Sequence, residues 1–112
     1  MTPTEAEFQV RDSVLEAVLE AVRADVRIPM SLEPSSPYKG EIQGFRYLFE
    51  GEDDLLHLLV ERVDGSEITP EQAQEVVELI LPDFPSGLMW LKPGVYSQHF
   101  YFGHDELLNL YS

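Results

Sequence analysis

The side chains best suited to chemistry are three histidines, His57, His99 and His104. His99, His104 and Asp105 lie close in sequence and could meet at the end of a strand as metal ligands. None of the histidines forms an H-E-x-x-H pair or another tight metal spacing, so no metal site is predicted beyond these weak candidates. His57 stands inside the apolar run Leu55–Val60 and is expected to be a hydrogen-bonded sheet residue. Serine nucleophiles need a strained elbow with a positioned base, and none of the serines, Ser97 included, stands in such a context. Glu52-Asp53-Asp54 offers oxygen ligands that suit a hard cation but lacks the spacing of a calcium loop, and an acidic turn that discourages edge aggregation is the simpler account. No glycine-rich phosphate cradle is present. Cysteine is absent, which excludes disulfides and thiolate metal sites. The sequence therefore predicts no cofactor and no catalytic residue.

Charge narrows the partners. Across 112 residues, 21 acids face 7 bases, for a net charge of −14. Such a field repels phosphates and anionic membranes, and attracts basic partners. Tyr96, Phe100, Tyr101 and Phe102 cluster as base-stacking residues do, but only Lys92 and Arg46 are at hand to meet phosphates, so nucleic acid is not an expected partner. No apolar run is long enough to span a bilayer, and the acidic start does not resemble a secretory signal. The expectation is a cytoplasmic protein with no membrane partner.

These residues must be carried by elements that periodicity predicts. Thr4-Glu5-Ala6-Glu7 has the spacing of a capping box, and Phe8, Leu15, Val18, Leu19 and Val22 form a helical stripe over about residues 4–25. Residues 26–32 alternate but contain Pro29, which suits an edge strand or an extended arm. Glu33–Gly40 reads as a loop. From Glu41 the period becomes two, with Phe45, Tyr47 and Phe49 on one face. Gly51–Asp54 is the turn, and Leu55–Val63 returns as the partner strand. Thr69-Pro70-Glu71-Gln72 is the clearest helix start, with a threonine cap, proline in the first turn and glutamine completing the box. Ala73, Val76, Val77 and Ile80 are its buried stripe. Leu88–Leu91 and Tyr96–Phe102 form a second hairpin, with Tyr96, Gln98, Phe100 and Phe102 on one face and Val95, Ser97, His99 and Tyr101 on the other. His104–Tyr111 forms a short terminal helix.

The order implies a single α+β domain over residues 1–112. It has two layers: an antiparallel sheet of four to five strands, built from two hairpins and packed by two amphipathic helices, plus the short C-terminal helix. The order α-β-β-β-α-β-β-α, the length and the acidity resemble the small secretion-chaperone-like fold shared by dimeric type III secretion chaperones and YbjN-like proteins. The likeness covers roughly residues 4–111, is one of element order without a sequence motif, and requires residues 26–32 to be a strand. It implies a homodimer that binds an extended or exposed segment of another protein.

Both hairpins carry large apolar groups on both sides, more than two helices in one copy can hide. A contiguous apolar patch of this kind marks an interaction surface. The expected function is therefore a non-enzymatic, acidic protein-protein interaction module, chaperone-like or an adaptor. It would be a homodimer and bind another protein through an apolar sheet face or edge. The candidate contact residues are Phe45, Tyr47, Phe49, Trp90, Tyr96, Phe100 and Phe102. One alternative is an acidic inhibitor or decoy of a basic or nucleic-acid-binding protein; another is a small metal-dependent enzyme using His99 and His104.

Overall fold

A computed structural model describes residues 5–24, 38–52 and 55–111 of the chain. Thr4 of the expected capping box, the arm at 26–32 and the tip of the 51–54 turn lie outside the described residues.

Helix α1 (Glu5–Arg23) leads into a three-stranded meander of β1 (Lys39–Ile42), β2 (Phe45–Glu52) and β3 (Leu55–Arg62). Helix α2 (Pro70–Ile80) follows, then a 3₁₀ turn at Ser86–Leu88, β4 (Met89–Lys92), β5 (Ser97–Gly103) and helix α3 (His104–Tyr111). The five strands form one sheet in the order β1-β2-β3-β5-β4, and every pairing is antiparallel. This is the predicted two-layer α+β arrangement, with β1 and β4 at the edges.

Among the described residues, the fifth strand is β1, drawn from a stretch that the sequence divides between a loop and the first hairpin. Lys39 and Gly40, expected in a loop, belong to β1, and a turn at Gln43-Gly44 separates β1 from β2. Both turn residues take positive φ, 52° and 83°, between the paired Ile42 and Phe45. That is the twist a two-residue hairpin needs, but it is usually announced by Asn-Gly or Asp-Gly, and Gln-Gly conceals it. Gly40 also makes room for the core: a Cβ there would stand 2.5 Å from the Tyr47 hydroxyl.

Helix α2 starts as its sequence dictates. The Thr69 side chain accepts from the Gln72 backbone N–H at 3.2 Å, and Gln72 Oε1 accepts from the Thr69 backbone N–H at 3.0 Å. Each bond satisfies a donor that a helix terminus otherwise leaves unpaired. Ala73, Val76, Val77 and Ile80 are buried as predicted. They join Val14, Val18 and Val22 of α1 and Leu107 of α3 over one face of the sheet, against Tyr47, Phe49, Leu56, Leu58, Val60, Phe100 and Phe102.

Strand registers sort the remaining residues. Opposite Tyr47, Phe49 and Gly51 stand Val60, Leu58 and Leu56, and opposite the latter three stand Gln98, Phe100 and Phe102. These share the helix-covered face. The alternate set, Glu50, His57, Leu59, Ser97, His99 and Tyr101, with Trp90 and Lys92 of β4, faces the side that no described helix covers.

Candidate functional site: a histidine pair and an apolar edge

Four of the seven predicted contact residues are not on the surface. Tyr47, Phe49, Phe100 and Phe102 are at most 1% exposed beneath the helices. Phe45 is half-buried against the same core, with the Arg62 guanidinium 5.0 Å over its ring. Helix coverage makes the difference: the inward face of β2, β3 and β5 is sealed, and its aromatics are core. Only Trp90 and Tyr96 remain available, 55% and 61% exposed.

Those two belong to a compact set. Of the seven large hydrophobic residues exposed among the described ones, five fall between residues 88 and 96: Leu88, Trp90, Leu91, Val95 and Tyr96. They flank or occupy β4, which pairs with β5 and, among the described residues, with no other strand. In an antiparallel ladder every second residue of an edge strand turns its N–H and C=O outward. This edge therefore combines free backbone groups with apolar side chains, the combination that natural sheets usually suppress.

The hairpin holding that edge is fixed from below. Gln98 is fully buried on the helix-covered face. Its side-chain amide donates to the carbonyls of Ile68 at 2.8 Å and Gly94 at 2.7 Å, and accepts from the Gly94 N–H at 3.2 Å. The Ile68 N–H donates to the Val95 carbonyl at 3.0 Å. The lead-in to α2 thus clamps the 93–96 turn.

On the face that no described helix covers, the structure assembles a polar chain that sequence spacing did not reveal. His57 Nε2 lies 2.7 Å from His99 Nδ1, and the rings are within 5° of parallel with centroids 5.0 Å apart. So short a nitrogen contact with so long a centroid distance leaves the two imidazoles end to end in one plane, not face to face. Ser97 Oγ is 3.2 Å from His99 Nε2. On the other side, His57 Nδ1 is 3.5 Å from Glu50 Oε2, close enough for an ion pair but without hydrogen-bond geometry, and this nitrogen is buried. Tyr101 stacks on His57 at 5.0 Å. Register creates the chain: His57 is the cross-strand partner of both Glu50 and Tyr101.

One proton order serves the three contacts together. Ser97 donates to His99 Nε2, His99 Nδ1–H donates to His57 Nε2, and the remaining proton sits on His57 Nδ1, 3.5 Å from the Glu50 carboxylate. The reverse order would aim a nitrogen lone pair at the carboxylate. The chain therefore has a direction, from hydroxyl to carboxylate.

No family model, curated protein or solved structure matches the chain. Its site rests on its own geometry.

The predicted grouping of His99, His104 and Asp105 is replaced by the pairing of His99 with His57. His104 and Asp105 open α3, where Asp105 lies in the acidic first turn. Among the described residues no group of three or more histidine and acidic side chains is arranged to hold a metal ion. No described helix is long and apolar enough to cross a membrane.

Proposed function

We propose that the chain is an acidic protein-binding module, chaperone-like or an adaptor, that takes up an extended segment of a partner protein along β4. The observation that carries this is the edge itself: five exposed apolar side chains within residues 88–96, on a strand with one side unpaired among the described residues. Adding a strand to a sheet edge supplies affinity through backbone hydrogen bonds, while alternate side chains select the sequence. With a net charge of −14, the favoured segment is apolar and basic. The element order α-β-β-β-α-β-β-α, on which the resemblance to secretion-chaperone-like proteins rests, fits a module of this kind.

Trp90 is the sole tryptophan and lies on the docking strand, so it reports directly. A synthetic peptide alternating valine and lysine is expected to shift Trp90 fluorescence and protect the β4 amides from exchange. Binding should weaken with added salt and in the double variant Trp90→Ser, Tyr96→Ser. If saturating peptide leaves both the fluorescence and the β4 amides unchanged, this proposal fails. Salt-sensitive binding of a folded basic protein with the β4 amides untouched would favour the acidic decoy instead. Light scattering separates a further outcome, in which two β4 edges pair with each other to give the homodimer.

A further inference from the structure

The polar chain on the face that no described helix covers supports an activity beyond docking. We propose that Ser97 is a nucleophile activated by His99 as general base, with His57 and Glu50 as positioning residues that receive the charge, and that its substrates are small uncharged or cationic esters.

The geometry supplies the parts that base-assisted attack requires. A half-buried hydroxyl stands 3.2 Å from an imidazole nitrogen, and the other nitrogen of that ring is 2.7 Å from a second imidazole in the same plane. A base within hydrogen-bond reach of the nucleophile, itself oriented by a third group, is the arrangement that activates serine. The contact that looks worst at rest is the informative one. Among the described residues, buried His57 Nδ1 has no hydrogen-bond partner, and it faces Glu50 at 3.5 Å. With His57 neutral this pairing is weak; once positive charge reaches His57 it becomes an ion pair. An interaction stronger in the transition state than at rest is the kind that raises a rate.

The steps balance. Ser97 Oγ forms a bond to the ester carbonyl carbon, and the carbonyl π pair moves onto oxygen. The hydroxyl proton passes to His99 Nε2, while the His99 Nδ1 proton moves to His57 Nε2 and leaves the cation beside Glu50. Collapse of the adduct breaks the ester C–O bond. The departing alkoxide takes the proton from His99 Nε2 as the shared proton returns from His57. Water then repeats the sequence on acyl-Ser97, releasing the carboxylic acid and restoring the hydroxyl.

Register also sets the substrate class. Lys92 stands directly opposite His99 on the same face and is the cation from β4 that can meet a developing oxyanion. Leu59, opposite His99 on the other side, and Tyr101 offer apolar contact for an acyl chain. Glu61, opposite Ser97, is engaged by Arg46 at 3.0 Å. The net charge of −14 disfavours anionic esters.

The decisive experiment exposes the full chain to an alkyl fluorophosphonate, whose fluoride a reactive serine displaces, and maps the adduct by peptide mass. A single adduct at Ser97 is expected. Hydrolysis of p-nitrophenyl butyrate should be abolished by Ser97→Ala and lowered roughly 100-fold by His99→Gln. Glu50→Gln should lower kcat about tenfold or more with KM unchanged, since it acts only when charge develops. Circular dichroism checks that each variant is folded. The assignment is overturned if Ser97 carries no adduct, or if Ser97→Ala hydrolyses the ester as fast as the natural chain.

Discussion

Gln98 and His57 are the two polar or charged residues buried among the described residues, and the fold treats them differently. Gln98 lies beneath the helices and makes three hydrogen bonds to backbone groups of the α2 lead-in and the 93–96 turn. His57 lies on the opposite face, makes one short bond to His99 and, among the described residues, keeps its second nitrogen unbonded toward Glu50. A buried polar group is tolerated when its partners are in place, and an unsatisfied one costs on the order of 1–3 kcal/mol. A saturated side chain thus belongs to the scaffold, whereas an unsaturated one holds binding capacity in reserve. The comparison separates a residue that builds the β4–β5 hairpin from one that uses it.

The contrast predicts unequal losses of stability. Gln98→Leu orphans the Gly94 N–H and removes the donor to two carbonyls, so it should cost about 3 kcal/mol in urea unfolding. The β4 amides should lose exchange protection first. A loss below about 1 kcal/mol would show that the clamp is dispensable and would erase the distinction.

Tyr47 lies between the two cases, with a ring in the core and a hydroxyl against Gly40. Burial pushes its phenol from 10.0 up to about 12. The core accepts the neutral phenol, so its contribution is intact below pH 10.0 and is lost as pH rises toward about 12. Tyr111 is also raised to about 12, by burial and then by Asp83, and donates its hydroxyl to the Pro82 carbonyl at 2.8 Å. Alkaline titration of stability should therefore fall across this window, and Tyr47→Phe should flatten it in part. An unchanged slope in that variant would place the alkaline sensitivity elsewhere.

These features were unequally legible in the sequence. Thr69-Pro70-Glu71-Gln72 announced α2 because a capping box is local chemistry, complete within four residues. The alternation from Ser97 to Phe102 placed every residue of that stretch on its observed face, because strand period depends on the backbone alone. The turn at Gln43-Gly44 was missed because glutamine is a poor advertisement for positive φ. The contact surface is hidden from the sequence for a different reason. Phe49 and Phe100 look the same in sequence whether a helix or a partner covers them, and coverage is a tertiary fact. The histidine chain was hidden for the same reason. His57 and His99 are 42 residues apart, and only the β3–β5 register, which brings Leu59 opposite His99 and His57 opposite Tyr101, makes them neighbours.

His57→Leu tests the other half of the comparison. It removes the buried nitrogen that has no partner among the described residues and leaves His99 half-buried, where water can replace the lost bond. The change should therefore cost about 1 kcal/mol or less, well under the Gln98 loss, since an apolar residue often replaces an unsatisfied polar one at little cost. A loss equal to that of Gln98→Leu would make His57 a structural clamp after all.

The smallest effect expected is the most discriminating. Glu50→Gln keeps the size of the side chain facing His57 and removes its charge. If His57 is neutral at rest, the 3.5 Å contact holds little energy, and stability at neutral pH should change by less than about 0.5 kcal/mol. If His57 instead carries a permanent charge, the same substitution strands a cation that is 5% exposed, and the loss should reach several kcal/mol. Urea unfolding at neutral pH thus reports the resting charge of the pair. A near-zero change keeps Glu50 as a group that waits for charge to arrive, and a large one ties it to the folded state itself.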